Sequence, residues 1–226
     1  MAAPLINSPE AFADTFRVSR ETVERLRLYE KLLRRWQRAV NLVAPSTLEQ
    51  IWHRHFADSA QLLNFAPEMA GRSDAPVWLD LGSGAGFPGM VIAILLANHA
   101  SARIHLVESH ARKCAFLAEV ARETGTPVEI HQTRIESLSA ADRVIRPALV
   151  SARALAPLER LLELAAPFMG EETRGLFLKG REAEEEIRRA GRHFSFRHRL
   201  HPSRTDAAGR IVEIDSLRPR PRRNED

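Results

Sequence analysis

The stretch from Val77 to Gly89 constrains this chain more than any other, reading Val-Trp-Leu-Asp-Leu-Gly-Ser-Gly-Ala-Gly-Phe-Pro-Gly. Val77 to Leu81 suits a short buried strand and carries Asp80 near its end. Gly82, Gly84, Gly86 and Gly89 follow within eight positions, and Met90 to Ala97 is then apolar without a break. Strand, glycine turn and helix together open a βαβ nucleotide-binding unit. The glycines let the backbone turn tightly and approach a ligand, and the helix N-terminus offers free N–H groups. Pro88 suits a first helical turn, where its missing donor is not needed. A glycine turn can also join strand to helix with no ligand, but four glycines exceed what a bare turn requires.

Two nucleotide readings are open at this point. Gly84 to Gly89 fits GxGxxG, the dinucleotide fingerprint, and Glu108 follows at about the spacing of a ribose-binding acid. Asp80-Leu81-Gly82-Ser83-Gly84-Ala85-Gly86 is also Asp-x-Gly-x-Gly-x-Gly, which resembles the first motif of methyltransferases that use S-adenosylmethionine (SAM). A SAM ligand has no pyrophosphate, so the glycines would make room for its methionine part and ribose.

Composition narrows the class. With 226 residues, 44% of them hydrophobic, the chain suits one α/β domain plus an appendage. No stretch approaches the ~20 apolar residues of a membrane span. The first residues, Met-Ala-Ala-Pro-Leu, lack the basic-then-apolar pattern of a signal peptide. A cytoplasmic protein without membrane contact is therefore expected. The single cysteine, Cys114, leaves no internal disulfide and fits a reducing compartment. One thiol and nine scattered histidines speak against zinc, and no metal is expected. The net charge is +4, and Lys31, Lys113 and Lys179 are the only lysines among 33 basic residues. The arginine excess is compatible with a nucleic-acid partner or with a compositional bias.

Along the chain, Ser8-Pro9-Glu10 caps a short helix to about Phe16, and Ser19 caps a longer one. Val23, Leu26, Leu33, Trp36 and Val40 give that helix one apolar stripe. Arg25, Arg27, Lys31, Arg34, Arg35 and Arg38 cover its other faces, as a nucleic-acid surface or as a solvated face balanced by glutamates. Asn41-Leu42-Val43 ends it. Ser46 and Glu49 fit a capping box for the next helix, which brings His55, Asp58 and Ser59 within about one turn. No nucleophile turn surrounds the serine, so a structural or ligand-lining role outweighs nucleophilic catalysis. Ala66 to Pro76 reads as a linker.

Further strands are expected at Arg103–Glu108, Val128–His131, Ala148–Ser151, Gly175–Leu178, Phe194–Leu200 and Arg210–Ile214, with helices between all but the last two. Ser109 is placed to cap the helix after the second strand and Gly125 to stop it. Arg218 to Arg223 reads as a mobile basic tail. The expected architecture is α/β, with a Rossmann-like, mostly parallel sheet of the class I SAM-dependent methyltransferase type and an antiparallel last strand. Residues 76–216 form it, residues 1–75 form a helical extension packed on it, and residues 217–226 form the tail. Open α/β sheets bind ligands beyond the carboxyl ends of their strands, where Gly82, Glu108, Arg153 and Lys179 all stand. Glu108 is placed to accept bonds from both ribose hydroxyls, or else is a surface acid near Arg112 and Lys113. Ile135 and Glu136, in the loop after the third strand, would offer adenine a backbone N–H and an apolar wall. Cys114, inside a helix, is given no catalytic role.

Taken in order, these motifs resemble the RsmG (GidB) family, bacterial SAM-dependent methyltransferases acting on N7 of a guanine in small-subunit (16S) ribosomal RNA. The resemblance runs from about Leu28 to Ile214. It rests on Asn41-Leu42, on Arg54-His55-Phe56-Ala57-Asp58-Ser59, on Asp80 to Gly89, on Ser151-Ala152-Arg153-Ala154 and on Leu178-Lys179-Gly180. It implies SAM contacts at Gly82, Phe87, Ile135, Glu136 and Arg153, beside Gly84, Gly86 and Glu108. It also implies substrate contacts at His55, Asp58 and Ser59, and catalytic roles for Arg153 and Lys179. The family commonly has Ser-Arg-Ala, whereas here Ala152 precedes Arg153, which bears on how far Arg153 reaches.

The chemistry agrees. Guanine N7 has a free lone pair, so methyl transfer needs in-line positioning and no general base. The Asn/Asp-Pro-Pro-aromatic motif of exocyclic-amine methyltransferases is replaced by Ser-Ala-Arg-Ala, and Cys114 is misplaced for attack on a pyrimidine. The partner implied is small-subunit rRNA, within the ribosomal subunit, bound by a monomer. A nicotinamide-dependent oxidoreductase and a non-catalytic RNA-binding assembly factor are the alternatives.

Overall fold

Seven strands form one sheet in the order β3-β2-β1-β4-β5-β7-β6. They are β1 (Val77–Leu81), β2 (Arg103–Glu108), β3 (Glu129–Gln132), β4 (Leu149–Arg153), β5 (Arg174–Lys179), β6 (Phe194–Pro202) and β7 (Arg210–Pro219). The structure is a computed structural model that describes residues 5–66, 69, 76–98, 102–139 and 145–221. The first five strands pair in parallel, and β7 runs antiparallel to both β5 and β6. The chain leaves β1 toward β2 on one side and returns beside β1 as β4. That reversal is the topological switch point where open α/β sheets hold ligands.

Because β1, β2, β4 and β5 are covered on both faces, their residues alternate between two cores instead of between core and water. Trp78, Ile104, Leu106, Leu149, Leu176 and Leu178 face one core, and Leu79, Leu81, Val107, Val150 and Phe177 face the other. The first core is shared with α1 (Pro9–Phe16), α2 (Arg20–Trp36), α4 (Gly89–Leu95) and α5 (Ala111–Thr124). The second is closed by α6 (Ile135–Ser139), α7 (Leu158–Ala165) and α8 (Ala183–Ala190). Between α2 and β1 lie a 3-10 segment (Pro45–Gln50), π-helical turns (Trp52–Ala57), the short α3 (Asp58–Ala60) and a second 3-10 segment (Gln61–Phe65). The N-terminal helices thus belong to the same apolar core as one face of the sheet.

Ser8 and Ser19 cap α1 and α2 as expected, their hydroxyls accepting from Ala11 and Thr22 N–H. Other boundaries differ. Helix α2 ends at Trp36 because Gln37 folds the chain back, its Oε1 accepting from Leu42 and Val43 N–H and its Nε2 donating to Val43 O. Ser46 forms no capping box, since Thr47 sends both its N–H and its hydroxyl to Ala44 O. Ser109 does not cap α5; the Glu108 carboxylate takes the His110 N–H instead. Strand β7 runs past Ile214 to Pro219, pairing Arg218 with Ser195 and burying Leu217. Most of the expected linker, and residues 222–226 of the tail, lie outside the described residues.

Candidate active site

The turn after β1 forms the floor of the site. Gly82, Gly84 and Gly86 hold φ of 66°, 58° and 93°, a region glycine enters without steric cost. At Gly86 a Cβ would collide with Tyr29 Oη and stand 2.7 Å from Met90 Cβ. At Gly84 a Cβ would meet only Gly82 O at 3.8 Å and project into open space. Beneath the turn, fully buried Asp80 accepts Gly89 N–H at 3.2 Å and the Ser151 hydroxyl at 2.7 Å. It thereby clamps the start of α4 to β4. Burial raises its pKa to about 6, against the opposing hydrogen bonds of Ser151, Ser83 and Gly89.

Around the turn lies a cavity of about 470 Å³, lined from the ends of β1, β2 and β4 and from the segment after β3. Glu108, buried at its side, accepts Gly84 N–H at 3.0 Å through Oε2 and His110 N–H at 2.7 Å through Oε1. An ionised carboxylate offers about four lone-pair sites, so capacity remains for a ligand's hydroxyls. Ile135 adds an apolar wall and Glu136 sits at the rim, paired with Arg160 at 2.7 Å. Both open the short helix α6, not a loop as the sequence implied.

A second cavity, of about 510 Å³, adjoins the first, with Leu42, Arg153 and Ala154 lining both. His55, Asp58, Lys179 and the β6–β7 loop complete it. The wall between the two is built by Arg153. One terminal nitrogen donates to Arg54 O (2.9 Å) and Asp58 Oδ2 (3.2 Å), and the other meets His55 Nδ1 at 2.7 Å. The guanidinium carbon lies 4.8 Å from the centre of the Phe87 ring, within cation–π range. A guanidinium has no acceptor to offer, so His55 Nδ1 is the acceptor and its Nε2–H donates to Thr47 Oγ1 at 2.8 Å. His55 is therefore a neutral imidazole. Burial and then the charges of Arg153 and Arg54 bring its pKa down to about 3.

The sequence-derived candidates separate here. Gly82, Gly84, Phe87, Glu108, Ile135, Glu136 and Arg153 line the first cavity, and His55, Asp58, Lys179 and Arg153 the second. Ser59 reaches neither: it is fully buried and its hydroxyl donates to His55 O at 2.7 Å. Gly86 lies under the turn. Lys179 bonds Ala156 O at 2.9 Å and pairs at 2.5 Å with Glu186, whose Oε2 also accepts the Leu158 N–H that opens α7. Its ammonium thus ties β5, α7 and α8 together. Cys114 is buried, donates to Glu108 O and has its thiol pKa raised by burial and by Glu108.

Residues the sequence did not single out complete the picture. The Tyr29 hydroxyl donates to Ala85 O inside the glycine turn, and its ring stacks on Phe87, which stacks on His55. Tyr29 is the chain's only tyrosine and continues the α2 stripe between Leu26 and Leu33, a signal readable in hindsight. Thr205 donates to Asp58 Oδ1 at 2.6 Å, and Gln61 Oε1 accepts Arg204 N–H at 2.8 Å, stitching the β6–β7 loop to the N-terminal segment. No local pattern marks those pairings, which span more than 140 residues of chain.

Residues 22–209 match the family GidB, rRNA small subunit methyltransferase G. The Ribosomal RNA small subunit methyltransferase G of Parvibaculum lavamentivorans is 47% identical over 214 residues, covering 95% of this chain and 92% of that protein. The protein of the same name from Rhodospirillum centenum is 50% identical over 210 residues, covering 92% of this chain and 91% of its own. The chain belongs to this family. Solved structures add the fold of this methyltransferase G member. A mutant of MtNAS in complex with S-adenosylmethionine superposes with a TM-score of 0.54 at 15% identity, covering 92% of this chain and 83% of its own. Magnesium protoporphyrin IX methyltransferase from Synechocystis with bound SAM gives 0.52 at 13% identity, covering 83% of this chain and 97% of its own. Both support the class I methyltransferase sheet, and neither the oxidoreductase reading nor a non-catalytic one gains support.

Proposed function

We propose that this chain transfers a methyl group from SAM to N7 of a guanine in 16S ribosomal RNA, acting as a monomer on small subunits in the cytoplasm. The observation that carries the reading is the pair of adjoining cavities, with Arg153, Ala154 and Leu42 between them. The residues of the first cavity fit SAM. Open space beside Gly84, the part-satisfied Glu108 carboxylate and the Ile135 wall suit a methionine chain, a ribose and an adenine respectively. SAM supplies an electrophilic methyl on its sulfonium. The chain's own task is to hold the guanine edge in line with it and keep competing water out. The His55 Nδ1 lone pair is taken up by Arg153 and Lys179 is paired with Glu186, so neither offers a free base, in keeping with a nucleophile that loses no proton.

In this reading Arg153 is a positioning residue that holds the partition, and the segment from Leu42 to Asp58 works as one wall of the acceptor site. No helix among the described residues is long and apolar enough to cross a membrane. Incubating the protein with labelled SAM and small subunits lacking the modification, then mapping the methylated nucleotide, tests the proposal. One guanine bearing an N7 methyl is expected. Label on an exocyclic amine or a pyrimidine carbon overturns the acceptor, and no label with either naked rRNA or subunits overturns the activity.

A further inference from the structure

His105, on β2, and Glu129 and His131, on β3, meet at the outer edge of the sheet, away from both cavities. The parallel register sets His105 opposite Glu129, and Glu129 and His131 share a face because side chains alternate along a strand. His105 Nδ1 lies 2.9 Å from His131 Nε2 and 3.7 Å from a Glu129 carboxylate oxygen. His131 Nε2 lies 3.6 Å from the other Glu129 oxygen. Bonds of 2.0–2.2 Å from zinc to nitrogen and oxygen, arranged tetrahedrally, set neighbouring ligand atoms about 3.4 Å apart. With one ligand atom taken from each residue, all three lie within 4.8 Å of one another, near enough for one ion to draw them together.

We propose that His105, Glu129 and His131 bind one divalent cation of the zinc class, with solvent at the fourth position. Two imidazoles and a carboxylate are a donor set that suits zinc, and half-exposed Glu129 leaves the open side to water. The two nitrogens are hydrogen-bonded to each other at 2.9 Å between rings 7° from parallel, so a cation would replace that bond after a small rotation of the rings. The isolated spacing of the histidines in sequence hides the site, since His105 and His131 are brought together only by pairing of β2 with β3. The cation would pin the edge strand to its neighbour, two residues before the Thr133–Glu136 segment that lines the first cavity. The role is structural and independent of the methyl-transfer reading.

Calorimetry of the full chain with Zn²⁺ alone, in a non-chelating buffer, tests it, paired with Co²⁺ absorption and ¹⁵N-histidine NMR. One site per chain is expected, with tetrahedral Co²⁺ bands and shifts at His105 Nδ1 and His131 Nε2. His131→Asn should weaken Zn²⁺ more than roughly 100-fold, beyond the cost of losing an outer-shell partner, while its circular dichroism stays native. If that variant unfolds, Glu129→Gln with the same NMR readout decides. Zn²⁺ binding of equal strength to wild type and a folded variant, or shifts confined to other histidines, overturns the proposal.

Discussion

Two buried residues, His55 at the partition between the cavities and Asp80 beneath the glycine turn, carry opposite pH dependences. His55 is neutral in the fold, with a pKa near 3, against about 6.5 in an unfolded chain. Its contribution to stability is complete above pH 6.5 and is lost as pH falls toward 3. Asp80, raised to about 6, contributes in the other sense: its share is complete below the unfolded value and is lost as pH rises through 6. His55→Gln removes only the first of these. The stability gap between wild type and this variant, measured by urea unfolding, should be largest at pH 7.5 and shrink by about 2 kcal/mol at pH 5. A gap that does not move with pH would mean that the imidazole titrates in the fold as it does in the unfolded chain. The glycine turn gives a second contrast at this scale. Gly84→Ala, with open space beside it, should weaken SAM binding at least tenfold while folding suffers only the cost of αL alanine, about 1–2 kcal/mol. Gly86→Ala, jammed against Tyr29 and Met90, should lower thermal stability clearly more than Gly84→Ala does.

At the scale of elements, strand β7 shows what local pattern reveals and what it hides. Its apolar alternation from Arg210 to Ile214 is legible, but Arg218-Pro219-Arg220-Pro221 has the composition of a free tail. Tertiary pairing overrides that composition, since Ser195 and Phe194 supply the edge and Leu217 inserts into the second core. Leu217→Ala should therefore cost about 2–3 kcal/mol and lower the melting temperature by about 4–10 °C. A tail residue would leave it unchanged, so calorimetric melting of this one variant decides. The same division runs through the site. The glycine turn, Glu108 and the succession of strands along the chain follow from periodicity and spacing, because each is local or repeats a known unit. The Tyr29–Phe87–His55 stack and the Asp58–Thr205 bond depend on helices docking over a turn far away in sequence. Nothing in neighbouring residues encodes them. Ser59 errs in the other direction: it sits in a telling motif, yet helical geometry aims it at the His55 carbonyl.

Across the whole molecule the question is which arginines face RNA. The net charge of +4 is small, so phosphate affinity depends on where unpaired positive charge collects, not on its sum. On α2 much of the basic stripe is spent internally. Arg27 pairs with Glu10 and Glu24, Arg34 with Glu30 and Glu49, and Arg35 with Glu119. At the mouth of the second cavity the balance differs: among the described residues, Arg210 bonds only backbone carbonyls of its own loop, and Arg54 has a single loose ion pair, 3.6 Å from Asp206. A strand bound there would draw its phosphates to Arg54 and Arg210 while a base enters the cavity. Every phosphate deprived of its arginine lowers the slope of log affinity against log salt by about 0.7–0.9. Arg54→Gln combined with Arg210→Gln should therefore flatten the salt dependence of rRNA binding by roughly 1–2 units and raise KM for subunits. Arg27→Gln combined with Arg34→Gln should leave both nearly unchanged. Filter binding across a salt series separates the two surfaces, and the opposite result would move the RNA track from the cavity mouth to the N-terminal helix.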